Sequence, residues 1–350
     1  MSEILNIFDS DAFSAMALTR GIERIPFNPT GLGALSLFDP NPIRTTALAI
    51  EERTGQLTLI PFSERGTEGT QRTTEKRKLR HFEVPRLMHD DTIWASELQN
   101  IREFQNGEST ETVLMQVQTE VARRLSGPTG LLASVEYTKE SMRLAAIQGL
   151  CLDPATKNVM YNWYDEYGIT EPAATNFNLS AQTANSLRPL CNTIVRNMAR
   201  AAKGAFIEGR TKVYAYCGDA FYDEFTNHPD VIRTFLNWNA AADLRDNTQG
   251  AAFGEFSFAG ITWVNYRGSD DNSSIKIPSN QVKFFPVDAP GVFREAMAPG
   301  ETMDWINTPG KPVYVLPIPD LLRRMYWKME VYSYPLMICT RPEVLMSGLA

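Results

Sequence analysis

Three histidines, four cysteines and two adjacent acid pairs are the side chains of this 350-residue chain that could make it an enzyme or a metal protein. His81 and His89 lie beside a charged stretch and His228 precedes Pro229, and none has another imidazole at metal-ligand spacing such as i+4. Asp90-Asp91 and Asp270-Asp271 could begin a divalent-cation site. Adjacent acids project in different directions on a helix or a strand, however, so both pairs read as turn or helix-start residues. Cys151, Cys191, Cys217 and Cys339 are far apart, form no CxxC pair and follow no secretory signal. They are expected to be reduced and mostly buried. No GxGxxG, Walker A, HExxH or GxSxG pattern occurs, which argues against the commoner nucleotide, metallo and hydrolase chemistries. The expectation is a chain with no catalytic, cofactor-binding or metal-binding residues.

The basic run Lys76-Arg77-Lys78-Leu79-Arg80 is the strongest candidate for contact with phosphate. Glutamates around it balance the charge and no aromatic side chains interleave for base stacking, so an electrostatic contact between subunits is the better use. The whole chain carries 34 Lys and Arg against 41 Asp and Glu, a net charge of -7, and lacks the basic footprint of a tight nucleic-acid binder. Hydrophobic residues make up 43%, enough for a sizeable core. The opening MSEILNIFDSDAF has no basic, apolar signal and no segment approaches the roughly 20 apolar residues of a membrane span, so a soluble chain made inside the cell is expected. Trp94, Trp163, Trp238, Trp263, Trp305 and Trp327 are scattered, as for packing rather than a ligand cage.

These residues sit on elements whose pattern changes along the chain. Residues 1–44 hold one short amphipathic helix (Asp11 to Ile22), then Pro26, Pro29, Gly31, Gly33, Pro40 and Pro42. That density of breakers predicts an extended arm lying on something else. From Thr46 to Val84, TTALAIEE and GQLTLIPF, a polar run and HFEV predict a long two-stranded ribbon projecting into solvent. Such a ribbon is marginal alone and implies packing on a neighbour. Its charged residues Arg53, Glu64, Arg65, Glu68, Arg72, Glu75, Lys76, Arg77 and Lys78 are the candidate inter-subunit contacts.

A stripe of Val113, Val117, Val121 and Leu125, broken at Gly127-Pro128-Thr129-Gly130, and a second of Leu131, Val135, Met142 and Ala146 closing at Gly149 predict a long kinked helix. CLDPATKNVMYNWY predicts a hairpin, 183–208 a helix, TKVYAYCG a strand, and DAFYDEFTNHPDVIRTFLNW a helix interrupted at Pro229. FGEFSFAGITWVNYRG predicts two strands around Gly260, and the rest is Pro-rich with short strands. The class is α+β, without a βαβ run.

Five stretches in this order, FEVPRLMHDDTIWASELQNIREF, VEYTKESMRLAAIQGLCLD, YAYCGDAFYDEFTNHPDVIRTF, FGEFSFAGITWVNYRG and VYSYPLMICTRPEVLMSG, resemble the lambda-type major capsid protein family of tailed phages. The resemblance implies the Hong Kong 97-type fold and a shell protein that assembles as pentamers and hexamers into an icosahedral head. It implies an N-terminal arm (1–44), an extended loop or E-loop (45–85), and a peripheral (P) domain (86–210) with a long helix over 109–148. An axial (A) domain (211–326) and a return to the P domain (327–350) complete the division. Implied partners are other copies of the chain, a portal protein, packaged double-stranded DNA without tight specific binding, and a small decoration protein at local threefold axes. Some relatives carry a cleaved N-terminal scaffolding extension, whereas this chain enters the arm almost at once. The expectation is therefore a separate scaffolding protein and little or no maturation cleavage. Some relatives crosslink a loop Lys to an Asn of the next subunit; the mixed loop charges argue against that here. No membrane partner is implied, and the place is the virion after assembly in the host cytoplasm. The rival readings are another self-assembling phage component (portal, tail tube or decoration protein) and a soluble hydrolase using Asp or His after Thr211.

Overall fold

The computed structural model describes residues 30–54, 76–100, 119–236, 255–266, 277–323 and 325–350. A one-turn helix α1 (Gly31–Ala34) leads into strands β1 (Asp39–Pro42), β2 (Ala47–Thr54), β3 (Lys76–Glu83) and β4 (Leu87–Trp94), then helix α2 (Ala95–Asn100). A helical stretch α3 over 119–126 precedes α4 (Leu131–Ala146), the hairpin of β5 (Leu150–Leu152) and β6 (Val159–Asn162), and α5 (Trp163–Tyr167). Next come β7 (Thr175–Asn176), α6 (Leu187–Ala202), β8 (Lys212–Cys217), α7 (Asp219–Thr226), α8 (Pro229–Leu236) and the strands β9 (Glu255–Phe258) and β10 (Ile261–Asn265). The chain closes with β11 (Gln281–Val287), β12 (Phe293–Met297), β13 (Tyr314–Pro319), β14 (Tyr326–Ser333), β15 (Pro335–Cys339) and β16 (Met346–Leu349). The expected helix at Asp11 to Ile22, the strand GQLTLIPF and the Val113 and Val117 stripe lie outside the described residues.

Helix α4 is the strut of the molecule. Its 16 residues span about 24 Å at 1.5 Å per residue. The predicted stripe is buried and serves two cores. Leu131 and Val135 pack with Val121 of α3, Ile93 of β4 and Met329 and Val331 of β14. Met142, Leu144 and Ala146 join the larger core under the main sheet. The break between α3 and α4 falls at Gly127 to Gly130, as the sequence predicts. Gly149 ends the helical run at φ +80, where an added Cβ would stand 2.3 Å from the Tyr164 ring, so only glycine fits.

Strand order in the main, six-stranded sheet is β7-β16-β11-β8-β10-β9. Three-stranded sheets β1-β12-β15 and β13-β14-β4 stand beside it, with the two-stranded pairs β2-β3 and β5-β6. Phe177, Phe221, Phe225, Trp263 and Phe284 make the aromatic centre of the main core, with Phe225 and Trp263 stacked at 3.9 Å. Helix α6 buries Leu187, Cys191, Ile194, Met198 and Ala202.

The α+β class holds, with two corrections of detail. Strands β8 and β10 are parallel neighbours with α7 and α8 between them, so a βαβ-type crossover is present after all. The sequence conceals it because β10 also makes a local hairpin with β9 through Ala259 and Gly260, both at positive φ as two-residue hairpins require. The helix expected over 183–208 starts only at Leu187, because the distant Asp230 caps it by accepting the N–H groups of Asn185 (2.6 Å) and Leu187 (3.2 Å). β12 and β13 pair with β15 and β14, and the terminal β16 lies between β7 and β11 of the main sheet. Pairings between such distant segments leave no mark in local composition.

Candidate assembly surfaces

The β2-β3 ribbon is rooted in aromatic packing and reaches away from it. Leu48 and Phe82 are buried at its base, where the Phe82 ring meets Tyr161 at 5.4 Å and Trp163 at 5.3 Å edge-on. The Tyr161 hydroxyl accepts from the Glu83 N–H at 2.9 Å and donates to the Glu83 carbonyl, clamping the base to the β5-β6 hairpin. Arg80 lies over the Tyr167 ring at 5.1 Å. Farther out, Lys78 and Leu79 are exposed, and among the described residues the ribbon has no third strand. Register sets Glu52 opposite Lys78 but Arg53 opposite Arg77. Of the predicted contacts, Arg53, Lys76, Arg77 and Lys78 thus gather at one end of the described ribbon; Glu64, Arg65, Glu68, Arg72 and Glu75 lie outside the described residues.

The acid pair Asp90-Asp91 behaves as a strand dictates, with each carboxylate serving a different partner. Asp90 meets Lys328 at 2.8 Å, and Lys328 also meets Glu330 at 2.7 Å. Asp91 contacts Arg124 at 3.4 Å, which binds Glu97 at 2.7 Å and Glu120 at 2.6 Å as well. One guanidinium therefore ties α3 to α2 and β4. Hydrogen bonds from Arg123 and Arg124 hold the Glu120 carboxyl down to about 2 against the opposing effect of burial.

At the waist of α4 two neighbouring charges are almost wholly buried. Lys139, 2% exposed, donates to the Pro312 carbonyl at 3.1 Å and lies 3.5 Å from Glu295 of β12. Glu140, 1% exposed, accepts the Leu32 N–H at 2.7 Å and the Gly33 N–H at 3.1 Å, together with Tyr266 and Arg143. The strut thereby holds both α1 and the β12 sheet. No sequence motif marks this pair, because polar residues on a helix ordinarily indicate its solvent face.

His228 is buried and its Nδ1 accepts from the Asp230 N–H at 3.2 Å. All four cysteines are buried free thiols. Asp270-Asp271 lies outside the described residues, among which no three His, Cys, Asp or Glu side chains gather as metal ligands. A cleft of about 570 Å³ is lined by Arg188, Asn192, Asp230, Arg233 and Phe258. The Asp230 carboxylate in it is committed to capping α6. Among the described residues no helix is long and apolar enough to cross a membrane.

Residues 14–350 match the family described as phage major capsid protein E. The chain belongs to that family. The major capsid protein of Pseudomonas phage KPP10 is 24% identical over 303 residues, covering 82% of each chain. That of Salmonella phage Felix O1 is 23% identical over 97% of this chain and 96% of its own. Among solved structures, a prophage capsid protein of E. coli CFT073 superposes with a TM-score of 0.54 at 12% identity, covering 99% of this chain and 98% of that one. The capsid structure of cyanophage P-SCSP1u gives 0.50 at 12% identity over 99% and 94%. The fold is that of phage capsid proteins, of the Hong Kong 97 type, and the resemblance to major capsid proteins read from the five stretches holds. A member of this family is a structural component of the virion shell, which sets aside the portal, tail-tube and decoration readings.

Proposed function

We propose that the chain assembles as pentamers and hexamers into an icosahedral head around double-stranded DNA, with the β2-β3 ribbon laid over a neighbouring copy as the extended loop. The observation that supports this is the ribbon itself: rooted by Phe82 and Tyr161, two strands wide among the described residues, and exposing Lys78 and Leu79 beyond its base. Each exposed ion pair contributes only about 0–1 kcal/mol, and many such contacts repeated by symmetry stabilise a lattice while letting misplaced subunits dissociate. In this reading residues 1–44 are the arm, α4 is the spine of the peripheral domain, and the main sheet with α6, α7 and α8 is the axial domain, taking β16 from the C-terminus. The net charge of -7 suits a wall past which DNA slides without tight binding. A separate scaffolding protein, a portal and a decoration protein at threefold axes complete the partner set, with assembly in the host cytoplasm and no enzymatic step.

The test is charge reversal of Lys76, Arg77 and Lys78 to Glu in the full chain, followed by sedimentation and negative-stain microscopy. Shell yield should fall while the thermal midpoint of the unassembled subunit stays put. Shells at normal yield would remove the ribbon from the contact. A homogeneous monomer from the unaltered chain, even with scaffold supplied, would sink the whole reading.

A further inference from the structure

The cleft between α6 and α8 carries two guanidiniums that the fold itself does not use. Asn185, Arg188 and Asn192 line it from the start of α6, Arg233 and Thr234 from α8, and Phe258 from the end of β9. Arg188 and Asn192 share a face of α6 at i, i+4, and Asp230, Arg233 and Thr234 share a face of α8 at i, i+3 and i+4. The 2.6 Å bond from the Asn185 N–H to Asp230 joins the two elements, and each arginine follows its joined residue by three positions. Among the described residues neither arginine pairs with a carboxylate, whereas Arg124 has three acidic partners and Arg143 two. Arg188 lies over the Phe258 ring at 5.8 Å, a contact that uses the face of the guanidinium and not its N–H donors. Asp230 does not cancel the two positive charges, because its oxygens accept the N–H groups of Asn185 and Leu187 and its own charge is met by the start of α6.

We propose that this cleft binds a phosphate group, held by Arg188 and Arg233 together. The inference stands apart from the assembly reading, because it needs one folded chain and no neighbour. Donor count selects the ligand. A guanidinium presents a planar fork of N–H groups, and one fork already satisfies the two oxygens of a carboxylate. Two forks, with the side-chain amides of Asn185 and Asn192 beside them, match the three oxygens and the charge of about −2 on a phosphate monoester. Size agrees with that choice. The cleft holds about 570 Å³, within the range of about 300–1,000 Å³ usual for small-molecule sites, so there is room for the organic part attached to the phosphate. The same group is also offered by a nucleic-acid backbone, and the two sources differ in whether a long polyanion can reach the arginines.

The experiment is titration calorimetry of the full chain in phosphate-free buffer with inorganic phosphate, adenosine monophosphate, adenosine and glutarate. Phosphate and the monophosphate should each bind once per chain with a Kd at or below about 1 mM, and adenosine and glutarate at least about tenfold more weakly. Arg188→Lys and Arg233→Lys keep the charge but lose the fork, and each should weaken phosphate binding at least about fivefold. Arg188→Gln combined with Arg233→Gln should abolish it. Both side chains are exposed, so the thermal midpoint without phosphate should stay put in every variant. A short DNA duplex supplies the second arm: displacement of inorganic phosphate by the duplex assigns the site to a nucleic-acid backbone, and failure to displace it assigns the site to a small ester. No saturable binding of either phosphate probe would overturn the proposal. So would undiminished binding in the double glutamine variant, or glutarate binding as tightly as phosphate, which would give the cleft to carboxylates.

Discussion

Replacing Glu140 tests whether the α1 segment is held by one buried carboxylate. Glu140→Ala leaves the buried Leu32 N–H and the half-buried Gly33 N–H without their acceptor, and takes a partner from Arg143, which keeps Glu136 at 3.5 Å. An unsatisfied buried donor costs about 1–3 kcal/mol. Removing a buried charge returns part of that cost. The expected net loss is about 2 kcal/mol, which corresponds to roughly 30-fold faster hydrogen exchange at the Leu32 amide if the arm opens locally. Glu140→Gln keeps one acceptor oxygen but turns an NH2 toward a second N–H, so it should fall between the two. The pH dependence has a definite sign. Burial, the largest influence, pushes the Glu140 carboxyl above its ordinary 4.5 despite the bonds from Leu32, Arg143 and Gly33. The folded chain therefore holds this proton more tightly than the unfolded chain, and its contribution to stability grows as pH falls from the raised value toward 4.5. The glutamine variant lacks that slope. Urea unfolding across pH and exchange at residues 31–34 read both effects. Unchanged exchange at Leu32 in the alanine variant, or the same slope in the glutamine variant, would refute the assignment of the arm's anchorage to Glu140.

Gly149→Ala forces a side chain into φ +80 and to 2.3 Å from the Tyr164 ring, and should cost about 2–4 kcal/mol, read as a lower thermal midpoint. Arg124→Ala removes the shared partner of Glu120, Glu97 and Asp91 and should cost about 1–3 kcal/mol in urea unfolding near neutral pH. Because Glu120 is held at about 2 in the folded chain against an ordinary 4.5, its contribution is complete above 4.5 and disappears as pH falls toward 2, so the variant should show a shallower acid loss over that window. Burial pushes the thiols of Cys151 up to about 11 and those of Cys191 and Cys339 to about 12, with Cys217 well above its ordinary value. A thiol reagent at pH near 8 should therefore label none in the folded chain and all four in denaturant, and rapid labelling of any one would contradict its burial.

Legibility in the sequence followed the range of the forces involved. The stripe Leu131, Val135, Met142 and Ala146, the stop at Gly149, and the strands around Gly260 were readable because period and backbone freedom are local properties. The start of α6 was not, since its cap comes from Asp230, and neither was the placement of β16 in the main sheet. The ribbon could be expected from its strand-like stretches and charges, whereas the exposure of Leu321 and Leu322 has no mark in a Pro-rich stretch. The buried Lys139 and Glu140 were hidden for the opposite reason, since their types suggest solvent.

A shell subunit has to be stiff within and adaptable at its contacts, and the distribution of interactions follows that demand. Along α4 the held contacts are costly to break: two apolar cores at its ends and, between them, a buried acid and a buried lysine whose partners come from the arm, β12 and the segment before β13. Removing one member of such a set leaves an uncompensated buried group, so the strut resists bending at its centre. At the ribbon Lys78 and Leu79 are exposed, and in the proposed lattice such contacts are weak one at a time. A subunit built with the strengths reversed, soft inside and sticky outside, would trap wrong neighbours faster than it could release them. In the proposed lattice a subunit whose outer contacts are individually small can be released when misplaced, while its interior stays intact.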